Sequence, residues 1–138
     1  MKTLLKLSLA ATAVITAFGA QAQEFPSKDK TVTLVVPYAA GGPTDRVARD
    51  LAEALRKPLG VSVVVDNAAG AGSTIGTAKA ARATPDGYTL LLNHISMSTM
   101  PTMYRKLAFN VVNDFEYLGI INDVPMTLIA KPSMAANN

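Results

Sequence analysis

Cysteine and tryptophan are absent from the 138 residues, and histidine occurs once, at His94. An exported chain without cysteine has no disulfide framework and no thiolate metal site. A single imidazole argues against a zinc centre, and no metal or cofactor is expected. Aromatic side chains make up only 6% of the chain and do not interleave with the bases, which leaves nucleic-acid binding without support. Nucleophile, base and orienting residue do not come together in any recognisable pattern, so the chain reads as a binding module and not as an enzyme.

Long apolar runs are missing too. Leu7 to Phe18 extends for about a dozen residues, too short for an ordinary membrane span. Lys2 and Lys6 precede it and Ala20-Gln21-Ala22 follows it, the pattern of a secretory signal cleaved after Ala22. The expected organisation is a signal over 1–22 and one domain over 23–138, soluble and with no direct membrane insertion. The formal charge of +3 is partly the signal's: taking Lys2 and Lys6 from 13 basic residues leaves 11 against 10 acidic ones.

What is present is aliphatic, with elements of alternating type, and an α/β layered domain of about 116 residues follows from that. Val32-Thr33-Leu34-Val35-Val36 reads as a buried strand of a parallel sheet. Thr44 to Lys57 reads as a helix, with Val47, Ala48, Leu51, Ala52, Ala54 and Leu55 as its apolar stripe and Pro58 and Gly60 as its end. A second strand is expected at Val61 to Val65, a helix at Ile75 to Arg82 capped by Ser73 or Thr74, and a third strand at Tyr88 to Leu92. Pro101 to Leu107 suggests a short helix, Phe115 to Ile121 a fourth strand, and Met126 to Lys131 a further extended segment. Met97, Met100 and Met103 look like gap-filling apolar residues.

The stretch between first strand and first helix is Pro37-Tyr38-Ala39-Ala40-Gly41-Gly42-Pro43-Thr44-Asp45. Gly41 and Gly42 leave backbone amides unshielded, and Pro43 suits the first helical position. A glycine loop opening a helix at the carboxyl edge of a parallel sheet is a seat for an anion. Thr44 offers either a ligand-binding hydroxyl or a first-turn polar group. Asp45 complements the helix dipole and reads first as structural, with a role toward a ligand's amine or hydroxyl as the alternative. Tyr38 either walls the pocket or packs beneath the loop. Ser73 is a helix cap or a cleft contact. Asn93, His94 and Ser96 leave the third strand at the same edge, where His94 can meet a carboxylate near neutral pH.

Several strings, in order, carry a resemblance: Val35 through Asp45, Val64-Val65-Asp66-Asn67, Gly70-Ala71-Gly72-Ser73-Thr74-Ile75-Gly76, Pro85-Asp86-Gly87-Tyr88-Thr89-Leu90-Leu91, Leu107 to Phe109, and Asp114-Phe115. Behind a signal peptide, they resemble the periplasmic solute-binding receptors of tripartite tricarboxylate transporters, the Bug-type receptors, from about Phe25 to Ser133. The resemblance implies the parallel-sheet lobe of a type II periplasmic binding protein-like α/β fold, truncated, with the second lobe absent. It implies a periplasmic location, a small organic acid held by loop amides and hydroxyls, and delivery to membrane permease subunits. The ligand-binding set it suggests is Tyr38, Ala39, Gly41, Gly42, Thr44, Asp45, Ser73, Asn93, His94 and Ser96. The chain departs from the family at Ala108, where proline is usual, at Val112-Asn113-Asp114, and at Ala68-Ala69, where Arg-Pro is common.

Two alternatives stand beside this reading. One is a receptor remnant that binds nothing. The other is a nucleotide-binding enzyme domain, which Asp66 at the end of the second strand would suit; the chain lacks Gly-x-Gly-x-x-Gly and a P-loop lysine.

Overall fold

The computed structural model describes residues 25–125, 127 and 129–131. The expected signal over 1–22 and its cleavage site lie outside them. Three parallel strands form one sheet in the order β2-β1-β3. They are β1 (Val32–Val36), β2 (Val63–Asn67) and β3 (Thr89–Leu91). β1 sits in the middle because it is the most thoroughly apolar: Val32, Leu34, Val35 and Val36 are each at most 2% exposed. Val32 pairs with Val63 and Val36 with Asn67 on one side, and Leu34 pairs with Leu90 on the other.

Helix α1 (Pro43–Leu59) covers one face. Ala48 packs with Leu34 and Val36, and Ala52 with Val32, Val61 and Val63. Alternation along β1 therefore gives α1 the even-numbered side chains. Each such burial contributes about 1.5–3 kcal/mol. The stripe holds for Ala48, Leu51, Ala52 and Leu55, whereas Ala54 is exposed. α1 also runs past Lys57 and through Pro58, because a proline in the last turn forfeits only one hydrogen bond there; Gly60, at φ 66°, closes it by donating to the carbonyl of Arg56.

Helix α2 (Thr74–Ala81) contacts β1 and β3. Gly76 fixes how closely it approaches. A Cβ there would lie 2.6 Å from the carbonyl oxygen of Ala68 and 2.7 Å from the Pro37 ring, so only glycine lets the helix seat on those two loops. Helix α3 (Ser96–Met103) lies earlier than expected, with Pro101 inside it instead of opening it. The chain enters this helix straight from the β3 exit, and Met100, 1% exposed, anchors it against Ala78 and Phe109. Met103, by contrast, is exposed.

The structure corrects two strand positions. β2 starts at Val63 and runs to Asn67, because its register is set by pairing with all five residues of β1. No strand forms over Phe115 to Ile121. A strand needs a partner backbone, and no described segment runs beside this one. Tyr117, Leu118, Ile120, Ile121, Val124 and Ile129 are left exposed. Of the extended segment expected at Met126 to Lys131, Thr127 and 129–131 carry no strand, and Met126 and Leu128 lie outside the described residues.

Candidate functional site

All three strands point their carboxyl ends the same way, so their exit loops share one edge. There the structure builds two corners.

The first lies between β1 and α1. Asp45, 2% exposed, turns its carboxylate inward instead of toward solvent. Oδ2 accepts from the Gly41 amide at 2.8 Å and from Arg49 Nε at 2.9 Å, and Oδ1 accepts from Asn67 Nδ2 at 3.0 Å. Asn67 Nδ2 also reaches the Tyr38 carbonyl at 3.2 Å. The Arg49 guanidinium, first, and the Gly41 amide hold the Asp45 carboxyl down at about 2. Gly41 stands at φ 81°, a conformation suited to glycine, and this turns its amide back onto Asp45. Thus the expected donor at Gly41 is committed internally, and Asp45 has its oxygens occupied by the protein.

The amides that remain are further on. Pro43 is at the first helical position, and Arg46 makes the first bond back, to the Gly42 carbonyl at 3.1 Å. Among the described residues, the amides of Gly42, Thr44 and Asp45 have no acceptor. A helix start leaves such amides pointing out along its axis, with the positive end of the dipole behind them. Ala39 is exposed beside them, and Gly42 and Thr44 are half-buried.

The second corner gathers the β3 exit. Asn93 Oδ1 accepts from the Tyr38 hydroxyl at 2.7 Å, the His94 amide at 2.8 Å and Ser96 Oγ at 2.7 Å. Asn93 Nδ2 donates to Thr77 Oγ1 at 3.0 Å, and Thr77 donates to the Ser73 carbonyl at 2.8 Å. Ser73 Oγ donates to Ser96 Oγ at 3.0 Å. One amide side chain thereby ties the exits of β1 and β3 to helix α2. Ser73 holds the N-cap position of α2 but makes no capping bond: at φ 75° its hydroxyl is turned to Ser96 instead. Ala71, at φ 44°, shares this left-handed turn, a conformation that costs a side-chain-bearing residue of order 1–2 kcal/mol.

His94 stacks on Tyr38 with ring centroids 4.3 Å apart and an interplanar angle of 13°. Partial burial lowers its pKa below the usual 6.5, so at neutral pH the ring is an uncharged wall and not a standing counter-ion. Among the described residues no group of three or more His, Asp or Glu could hold a metal ion.

Arg49, Asn67 and Thr77 escaped the sequence reading. Arg49 was accessible, lying four residues after Asp45 on the same helix face. Asn67 and Thr77 carried no local signal, since their partners come from other strands. Asp66 forms an ion pair with Lys79.

The family model of the "tripartite tricarboxylate transporter family receptor" matches residues 47–138. A UPF0065 protein of Agrobacterium vitis, from the TAR-I ttuE-ttuC' intergenic region, is 46% identical over 124 residues, covering 89% of this chain and 35% of that protein. Among solved structures, the periplasmic binding protein BugD is 52% identical at a TM-score of 0.63, over 65% of this chain and 30% of its own. MatC of Rhodopseudomonas palustris with bound malate is 41% identical at a TM-score of 0.61, over 66% of this chain and 31% of its own. The chain spans about a third of the length of the relatives it matches. Among the described residues no helix is long and apolar enough to cross a membrane.

Proposed function

The chain belongs to the receptor family of tripartite tricarboxylate transporters, solute-binding proteins and not enzymes, and on that premise we propose that it contributes the anion-holding half of a carboxylate receptor. The observation that carries this reading is the row of unpaired amides at Gly42, Thr44 and Asp45, at the carboxyl edge of the sheet. One carboxylate of a small organic acid rests on those amides. Tyr38, Ser96, His94 and Ser73 form the neighbouring wall, and Gly41 and Asp45 hold the loop in shape. A bond from an amide to a charged oxygen contributes about 1.5–3 kcal/mol, so three give roughly 5–9 before the costs of binding. Micromolar affinity needs about 8. The lobe alone is therefore a weak binder. The likeness to MatC supports a dicarboxylate as the ligand. The leader, export to the periplasm, cleavage after Ala22 and handover to permease subunits of a tripartite transporter complete the reading.

Thermal scanning with succinate, malate and citrate at millimolar concentration tests it: the midpoint rises with at least one acid, and no rise with any of them refutes the reading. Gly42→Pro locates the site. Gly42 sits at φ −78°, close to the value a proline ring imposes, so the change removes one amide hydrogen with little distortion. Affinity should fall roughly tenfold or more.

A further inference from the structure

Resting on the carboxylate-receptor reading, we propose that the Tyr38–Ser96 hydroxyl pair reads a second feature of the ligand: an O–H or N–H donor carried on the acid's carbon chain. The site would then prefer hydroxy- or amino-dicarboxylates to unsubstituted ones.

The argument is a count of protons. Thr77 Oγ1 gives its proton to the Ser73 carbonyl, so toward Asn93 it can only accept. That places the Asn93 NH₂ group toward Thr77 and Oδ1 toward the other side, where the His94 amide also donates to it. Asn93 Oδ1, Tyr38 Oη and Ser96 Oγ then form a triangle whose three sides are each 2.7 Å. Each side needs one proton. The triangle holds two, one on Tyr38 and one on Ser96, because an amide oxygen brings none. Ser73 directs its own proton to Ser96 along a fourth contact, outside the triangle. Whichever way the two hydroxyls turn, one side is oxygen against oxygen with no hydrogen between.

Two consequences follow. Neither hydroxyl has a proton to spare for a carboxylate unless an internal bond is broken, so this corner is not the anion's seat. Both hydroxyls keep lone pairs, and the proton-poor side is relieved by a donor from outside. In the free protein a solvent molecule can serve. A ligand carrying its own donor displaces it and gains the bond. The acceptors are also fixed in place: Tyr38 is held by the stacked His94 ring, and Ser96 by Ser73, which is 3% exposed. A site that accepts from a substrate's hydroxyl or amine discriminates against the analogue lacking it, which leaves the acceptors unpaired.

Isothermal titration of the full chain with succinate, L-malate and L-aspartate tests this. The three differ only by hydrogen, hydroxyl or ammonium at one carbon. Malate, aspartate or both should bind at least about tenfold more tightly than succinate. A preference for malate alone identifies the hydroxyl as the group read, and a preference for aspartate alone the ammonium. In Tyr38→Phe the ratio should fall toward one, whereas a purely structural defect would weaken all three acids alike. Ser96→Ala gives the same readout should the tyrosine variant fail to fold by circular dichroism. Equal affinities in the unaltered chain overturn this inference and leave the receptor reading standing, as does a preference that survives in both variants. Binding by none of the three overturns this inference, and the receptor reading falls with it when citrate also fails to bind.

Discussion

Asp45 and Asn93 stand in neighbouring corners of the same sheet edge, and each gathers its surroundings with one side chain. Asp45 collects Gly41, Arg49 and Asn67; Asn93 collects Tyr38, His94, Ser96 and Thr77. The first corner is ionic and complete. Both carboxylate oxygens are occupied, and in the proposed receptor its effect on a ligand is indirect: it shapes the loop whose amides are free. The second corner is neutral and short of a proton. The proposed anion seat therefore lies where positive backbone potential is unspent, beside the fully paired acid and away from the hydroxyls. A polar cluster is thus better judged by what its members still have to give than by how many there are.

The comparison can be broken from the middle. Gly76→Val drives a side chain into Ala68 and Pro37, at the exits of β2 and β1, and should cost about 3 kcal/mol or more by urea denaturation. Asp45→Ala breaks one corner alone. It removes the acceptor of the Gly41 amide, of Arg49 and of the Asn67 NH₂ group, and a melting midpoint lower by roughly 10 °C is expected. Asn93→Ala breaks the other corner and should cost about 1–2 kcal/mol, without the salt sensitivity that the Asp45–Arg49 pair gives the first.

Acid sharpens the contrast further. Asp45 has a folded pKa of about 2 against an ordinary value of 3.8, so the unfolded chain takes up the proton first. Its stabilising effect is complete above pH 4 and is lost as pH falls toward 2. The urea midpoint should drop across that window in the parent protein and drop less in Asp45→Asn. His94 gives the smallest signal. Its folded pKa lies below 6.5, so stability is complete above the unfolded value and declines as pH falls through it. An imidazole titration followed by NMR should show this midpoint below that of a free histidine, and a bound dicarboxylate should raise it.

Much of the fold was legible because its signals are local. Val32 to Val36 announced a buried strand by composition, and Pro43 and Gly60 marked the limits of α1 within a residue or two. Where a decision depended on a distant partner, the sequence was silent or misleading. β2 slid by two residues because β1 sets its register. Phe115 to Ile121 has strand composition yet no neighbour to make it one. The site divided in the same way. The glycine loop, Tyr38 and the β3 exit were visible as strings, but which amides stay free was not. Gly41 advertised an open amide, and only the fold shows it donating to Asp45. Asn93 was read as a ligand contact, while its hydrogen bonds are spent on four protein neighbours.

The uncovered ribbon of Leu118, Ile120, Ile121, Val124 and Ile129 has a consequence for handling the protein. Backbone without a strand partner, carrying aliphatic side chains and few charges, is a template on which another molecule can lay down a matching strand. At high concentration, association between copies is therefore expected to begin at this stretch, while the sheet and its two corners stay intact. Placing a lysine at Leu118 or Ile120 should extend shelf life in solution and leave the two corners untouched.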